Sequence, residues 1–187
     1  MNIIWIQEDL PNWDSLPAFT MKNFVKGGSL GKPFFQARIC YSKRVGLCFK
    51  LCAYETITYY KQLPGYLNNY IELIWSLKPQ EEGIVHKVVA NMDAIENGDG
   101  ENLIKTEKIL GEDLQGKFWG IQIIMPNELI EAEINRRLKA DDVFVFNIFK
   151  YWETNLEYNH WGQMFSDVLQ KKNKPFSSDS LCKLILI

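Results

Sequence analysis

The sequence predicts an all-β protein: a single domain over residues 1–187, folded as an antiparallel, jelly-roll-like β-sandwich with one short helix. Three observations predict it. Short apolar runs rich in Val, Ile, Phe and Tyr recur between turn signals. One segment carries helical rather than alternating periodicity. No internal repeat, low-complexity stretch or linker interrupts the chain.

The elements follow in order. "FFQARICY" (34–41), the turn "SKRVG" and "LCFKLCAYE" (47–55) read as a hairpin. "NYIELIWSL" (69–77) is a strand stopped by Lys78-Pro79. "GIVHKVVANMDAIE" (83–96) runs into the turn "NGDG" (97–100), and "KFWGIQIIMP" (117–126) is a strand that ends at Pro126. In "NELIEAEINRRLKADD" (127–142), Leu129, Ile130, Ile134 and Leu138 fall near one face, which predicts a short surface helix. "VFVFNIFKYW" (143–152) and "LCKLILI" (181–187) complete the set. The expected strands are 34–41, 47–54, 69–77, 84–93, 117–125, 143–150 and 182–186, in two packed antiparallel sheets.

Composition limits the partners. Apolar residues make up 47% of the chain, enough for a substantial core. The formal net charge of −2 provides no basic field for nucleic acid or an anionic membrane, and neither partner is expected. Aromatic residues at 13% supply core and also hint at a ring-lined surface. "MNIIWIQEDLPNWDSLP" lacks a basic region followed by a long apolar core, and no apolar run reaches the roughly 18 residues of a membrane span. A cytoplasmic setting is therefore expected. The four cysteines, Cys40, Cys48, Cys52 and Cys182, lie in strand-like runs without a C-x-x-C pair, which predicts buried free thiols.

The chain is poor in catalytic patterns. Two histidines, His86 and His160, are too few for a metal site built on several imidazoles. "GEDLQGKFW" lacks phosphate-loop spacing, and "DAIENGDG" misses the alternating acids of an EF-hand loop and reads as a hairpin turn. No cofactor, metal or catalytic residue is expected. Glu72 stands out because "YIELIW" sets an acid inside an apolar strand. It either faces solvent or accepts hydrogen bonds from two hydroxyls of a ligand. No second acid can be placed opposite it, so hydrolysis has no warrant. The stretch "VFVFNIFKYWETNLEYNHWG" (143–162) sets Asn147, Lys150, Trp152 and Trp161 close together, a density of amides and rings suited to a binding site or to a well-packed hairpin.

Taken in order, these segments resemble the family 9-like carbohydrate-binding modules, in particular the stand-alone bacterial versions. "WDSLP" (13–17) is similar to the family's opening, "LCFKLCAYE" to its strand pair ending in Glu, and "NNYIELIW" (68–75) to its acid-containing strand. "ANMDAIENGDG", "WGIQIIMP" (119–126), "NIFK" (147–150) and "HW" (160–161) follow in the family's order. The resemblance implies a β-sandwich whose concave end binds sugar without cleaving it, so not an enzyme. The partner would be a small saccharide or glycoconjugate. Glu72 would be the in-strand acid, Asn147 and Lys150 the polar grip, and Tyr66 the aromatic platform; Trp152 and Trp161 are added as local rings. The chain departs from the family at Asn68, where an Asp is usual, near Met164 and in "PFSSDS" (175–180). The alternative is a sandwich kept as an interaction or structural module after sugar binding was lost.

Overall fold

The computed structural model describes residues 1–26, 34–54, 69–79, 85–91, 95–97, 103–152, 160–165 and 181–186. Its strands are β1 (Asn2–Gln7), β2 (Phe19–Thr20), β3 (Asn23–Lys26), β4 (Phe34–Ser42) and β5 (Gly46–Tyr54). They continue with β6 (Tyr70–Ser76), β7 (His86–Asn91), β8 (Ile95–Asn97), β9 (Lys105–Asp113) and β10 (Gly116–Pro126). After the helix α1 (Asn127–Ile134) come β11 (Val143–Trp152), β12 (His160–Gln163) and β13 (Leu181–Leu186).

One hydrogen-bonded path runs β8-β7-β6-β11-β13-β1-β4-β5-β10-β9, with β2, β3 and β12 attached beside it. The sheet curls so that its two halves face each other. β4 and β5 direct Phe35, Ala37, Ile39 and Tyr41, and Leu47, Phe49, Leu51 and Ala53, into the core. From the other half come Ile71, Leu73 and Trp75 of β6, with Phe144, Phe146 and Ile148 of β11. The halves meet through rings: Phe49 lies 5.4 Å from Trp75 and 6.1 Å from Phe146 between centroids, and the Trp75 indole N–H donates to Met125 Sδ at 3.3 Å. Spacing of two along each strand, not overall hydrophobicity, selects these residues.

Pairing is mostly antiparallel, with one correction to the expectation of two antiparallel sheets. β1 lies parallel to both of its neighbours, with Asn2 opposite Cys182 of β13 and Trp5 opposite Cys40 of β4. It joins the two halves into one mixed sheet. A parallel neighbour needs a long connection, and here those connections span much of the chain.

The turn between β4 and β5 needs Gly46, whose φ is +122° and whose added Cβ would lie 2.0 Å from the Met125 carbonyl oxygen. The same turn anchors the helix: Tyr41 donates to Asn127 Oδ1 at 2.9 Å, and Asn127 Nδ2 donates to the Lys43 carbonyl at 3.0 Å. The helix ends earlier than its apolar spacing suggests, because Asn135 adopts a left-handed conformation (φ 59°) and its N–H caps the Glu131 carbonyl. Leu138 is buried all the same, from the turn that follows. A buried His86–Glu133 contact of 2.6 Å ties the helix to β7, with the imidazole stacked on Trp75.

On the outer face of β4 and β5, Leu16 covers Cys40 and Cys48, with Trp5, Trp13, Val45 and Ile124 packed around them. All four cysteines are buried, and none forms a disulfide. Burial pushes the Cys52 thiol up to about 11 and that of Cys182 up to about 12. Little thiolate exists near neutral pH, so native iodoacetamide labelling at pH 8 should be slow and should become rapid only in denaturant. Rapid native labelling would contradict this packing. Phe49→Ala should cost about 3–5 kcal/mol in urea unfolding, since it empties the contact between the halves.

Candidate functional site

The register between β6 and β11 decides how the polar residues group. Phe149 lies opposite Glu72, Lys150 opposite Ile71 and Tyr151 opposite Tyr70. Ile71 belongs to the inward set with Leu73 and Trp75. Lys150 therefore faces the interior, and Glu72 with Tyr70 and Tyr151 faces outward.

Lys150 is fully buried. Its ammonium donates to Asn69 Oδ1 and to the Tyr151 carbonyl, the latter at 3.0 Å, and lies 5.2 Å from the centre of the Trp119 ring. The desolvated ammonium is held in part by an amide oxygen, a carbonyl and a π face. Asn147 is equally buried, and its Oδ1 accepts from the N–H groups of Ile148 (2.9 Å) and Phe165 (3.2 Å). The position explains the bonds. β13 pairs with residues 143–145 of β11 and β12 with residues 149–152, so Asn147 sits where one neighbour gives way to the other. Its side chain supplies an acceptor at this break in the ladder.

The outward cluster is different. Tyr70 and Tyr151 stack with centroids 4.2 Å apart and planes 18° apart. Lys87 on β7 contacts Glu72 Oε1 at 2.6 Å, and the Tyr151 hydroxyl donates to Oε2 at 3.4 Å. Burial, then the neighbouring Glu72 charge, raise the Tyr151 phenol above its ordinary range, and the same two causes raise Tyr70. Both phenols stay protonated at neutral pH and can donate. The Glu72 side chain is 16% exposed and that of Lys87 52%, so the pair borders solvent. Half-buried rings, a carboxylate, an ammonium and two phenols together suit a ligand with apolar faces and hydroxyl edges.

The remaining candidates are placed by backbone alone or lie elsewhere. Trp161 is opposite Tyr151 in the ladder, and Trp152 is opposite His160. Tyr66 lies outside the described residues. At the other end of β6 and β11 is a crevice of about 360 Å³, bordered by Leu77, Lys78, Leu138 and Val143. There Arg136 is committed to Asp142 through bonds of 2.5 and 2.8 Å.

No protein-family model matches the chain, and neither does any curated protein. Solved structures do. A family 9 carbohydrate-binding module from Caldicellulosiruptor kristjanssonii, in complex with cellotriose, matches over 98% of this chain and 93% of its own, with a TM-score of 0.67 at 10% identity. The same kind of module from that organism in complex with glucose matches over 100% and 97%, with a TM-score of 0.68 at 10% identity. The chain has the fold of a family 9 carbohydrate-binding module. A third structure, of a protein from Bacteroides uniformis ATCC 8492, covers 100% of this chain and 99% of its own with a TM-score of 0.54 at 10% identity.

Within this family 9 fold, Glu72 is brought together with Tyr70, Tyr151 and Lys87, and not with Asn147 or Lys150. Sequence reasoning missed the two tyrosines and the lysine. Tyr70 was visible as the outward companion of Glu72 two residues away; Tyr151 and Lys87 depend on strand pairing. Asn147→Ala is expected to lower stability by about 1–3 kcal/mol in denaturant melts, because the buried Phe165 N–H loses its acceptor. An unchanged melt would show that the amide does not support this junction.

Proposed function

We propose that the protein binds carbohydrate without cleaving it, taking a small saccharide or the sugar of a glycoconjugate on the Glu72 face of β6, β7 and β11. The observation that carries this reading is the Glu72 carboxylate set beside the stacked Tyr70–Tyr151 pair and Lys87. It is supported by a fold shared with modules solved with cellotriose and glucose. A pyranose packs its C–H face on a ring, and Glu72, Lys87 and the phenols hold its hydroxyls. The Glu72–Lys87 bond is partly exposed and screened, so a hydroxyl can replace one partner at small cost. Glu72 acts here as an acceptor that binds, and such binding calls for no cofactor. With a net charge of −2, the chain offers no general attraction to nucleic acid or an anionic membrane.

The rival reading is a sandwich that has lost sugar binding. It draws on Asn147 and Lys150, both committed to internal bonds.

Titration with glucose, cellotriose and a wider sugar panel, read by tryptophan fluorescence and calorimetry, separates the two. Glu72→Gln should weaken binding roughly ten- to a hundred-fold while leaving the melting temperature nearly unchanged, since a charge-assisted hydrogen bond is worth about 1.5–3 kcal/mol. Wild-type protein that responds to no sugar, with Glu72→Gln destabilised, would support the rival.

A further inference from the structure

The outer face of the other half-sheet carries a second polar and aromatic arrangement. Strand register lines up its side chains in rows. Phe34 lies opposite Tyr54, and Phe118 is next in line, with centroid spacings of 5.2 and 5.3 Å and successive rings tilted by 49° and 50°. The Phe118 ring lies over Gly111, where an added Cβ would come within 2.6 Å of it. The parallel row two residues along is Gln36, Cys52 and Gly120, and the next is Arg38, Lys50, Gln122 and Glu107.

The last row holds an anomaly. Arg38 and Lys50 are directly opposed on neighbouring strands, where like charges destabilise the pairing. No ion pair joins either one to an acid among the described residues. The Arg38 Nε is buried without a hydrogen-bond partner, and its Nη1 donates to Gln36 Oε1 at 3.3 Å. Asp113, the nearby acid, is taken up by the Tyr54 hydroxyl at 2.6 Å and the Gln115 N–H at 2.8 Å. The Tyr54 hydroxyl also reaches that Gln36 oxygen, at 3.4 Å. The guanidinium and the edge of the ring row therefore lie within about one sugar ring of each other. Phe34 is 39% exposed, so the row opens to solvent.

We propose that this face is a second saccharide site selective for an acidic sugar, a hexuronate whose carboxylate sits between Arg38 and Lys50 and whose ring packs on Tyr54 and Phe34. Opposed cations that form no ion pair with an acid among the described residues match a carboxylate, which a guanidinium can hold through two parallel bonds. Gln36, Gln122 and Asp113 add acceptors for hydroxyls. Asp113 and Glu107 also place negative charge nearby, which disfavours a dianion such as phosphate and favours a single carboxylate. The site is independent of Glu72, which lies on the outer face of the opposite half.

Calorimetric titration of the full chain with trigalacturonate tests it, with cellotriose, galactose 6-sulfate and inorganic sulfate as comparison ligands. Trigalacturonate should bind, more weakly as salt is raised. Lys50→Gln should weaken that binding at least about ten-fold, without lowering the melting temperature because a like-charge contact is removed. Lys50→Arg should retain it. Glu72→Gln should leave trigalacturonate unaffected, and Lys50→Gln should leave cellotriose unaffected, so either site can fail without the other. The proposal is overturned if trigalacturonate does not bind, if Lys50→Gln binds it as wild type does, or if inorganic sulfate or the sulfated sugar binds as tightly.

Discussion

The contact of Phe49 with Trp75 and Phe146 fixes the orientation of nearly everything else in the molecule. Each ring belongs to a different strand, and each strand alternates with a period of two. Once these three rings lie between the halves, Lys50, Cys52 and Tyr54 must face out from β5, and Tyr70 and Glu72 from β6. On β11 the same parity sends Lys150 in and Tyr151 out. A slip of one residue in any of these strands would exchange the two faces, exposing the core and burying the charges. The edge-on and tilted ring contacts add about 0.5–1.5 kcal/mol each to the burial itself, so the correct register is favoured over its neighbours by several contacts at once.

The second constraint is β1, which closes the sandwich by pairing in parallel with β13 and β4. Its partners bring residues 2 and 182 side by side, so this ladder forms only when segments far apart in the sequence meet. Such long-range closure adds entropy cost before it adds stability, which places the fold among the slower-forming topologies. The parallel pairing also makes the two halves one sheet, linking the outward Glu72 face to the outward Arg38 face through continuous backbone.

The parts of the fold legible in the sequence were those with a one-sided burial pattern. β4, β5, β6, β7, β10, β11 and β13 all appear where alternation and turn residues placed them, within a few residues. β9 escaped notice because "KTEKILGED" is largely exposed at the end of the hydrogen-bonded path, so no apolar face marks it. β1, "NIIWIQ", is short, and its parallel partners are distant in sequence. β2, β3, β8 and β12 have two to four residues, too few for a period to show. The helix was read correctly at its start and too long at its end, because Leu138 continues the apolar spacing after Asn135 has already turned the chain. At the site, Glu72 was legible as an acid in an apolar strand. Its separation from Lys150 was not, because parity within a strand says nothing about which residue of the partner lies opposite.

This division also accounts for a shared fold at 10% identity. The core asks for apolar side chains of suitable size at inward positions, a demand that many sequences meet. Lys150 and Asn147 are different in kind: each satisfies buried backbone or amide groups, so replacing either disturbs the packing around it. Glu72, Lys87, Arg38 and Lys50 lie on outward faces and have no such duty. The Glu72–Lys87 pair is of opposite sign and self-consistent, whereas Arg38 and Lys50 oppose one another across a strand pair that would be more stable without one of them. The residues at the solvent border can therefore change without changing the fold, while the buried polar pair, Lys150 on the inward side of β11 and Asn147 at the break between its neighbours, cannot.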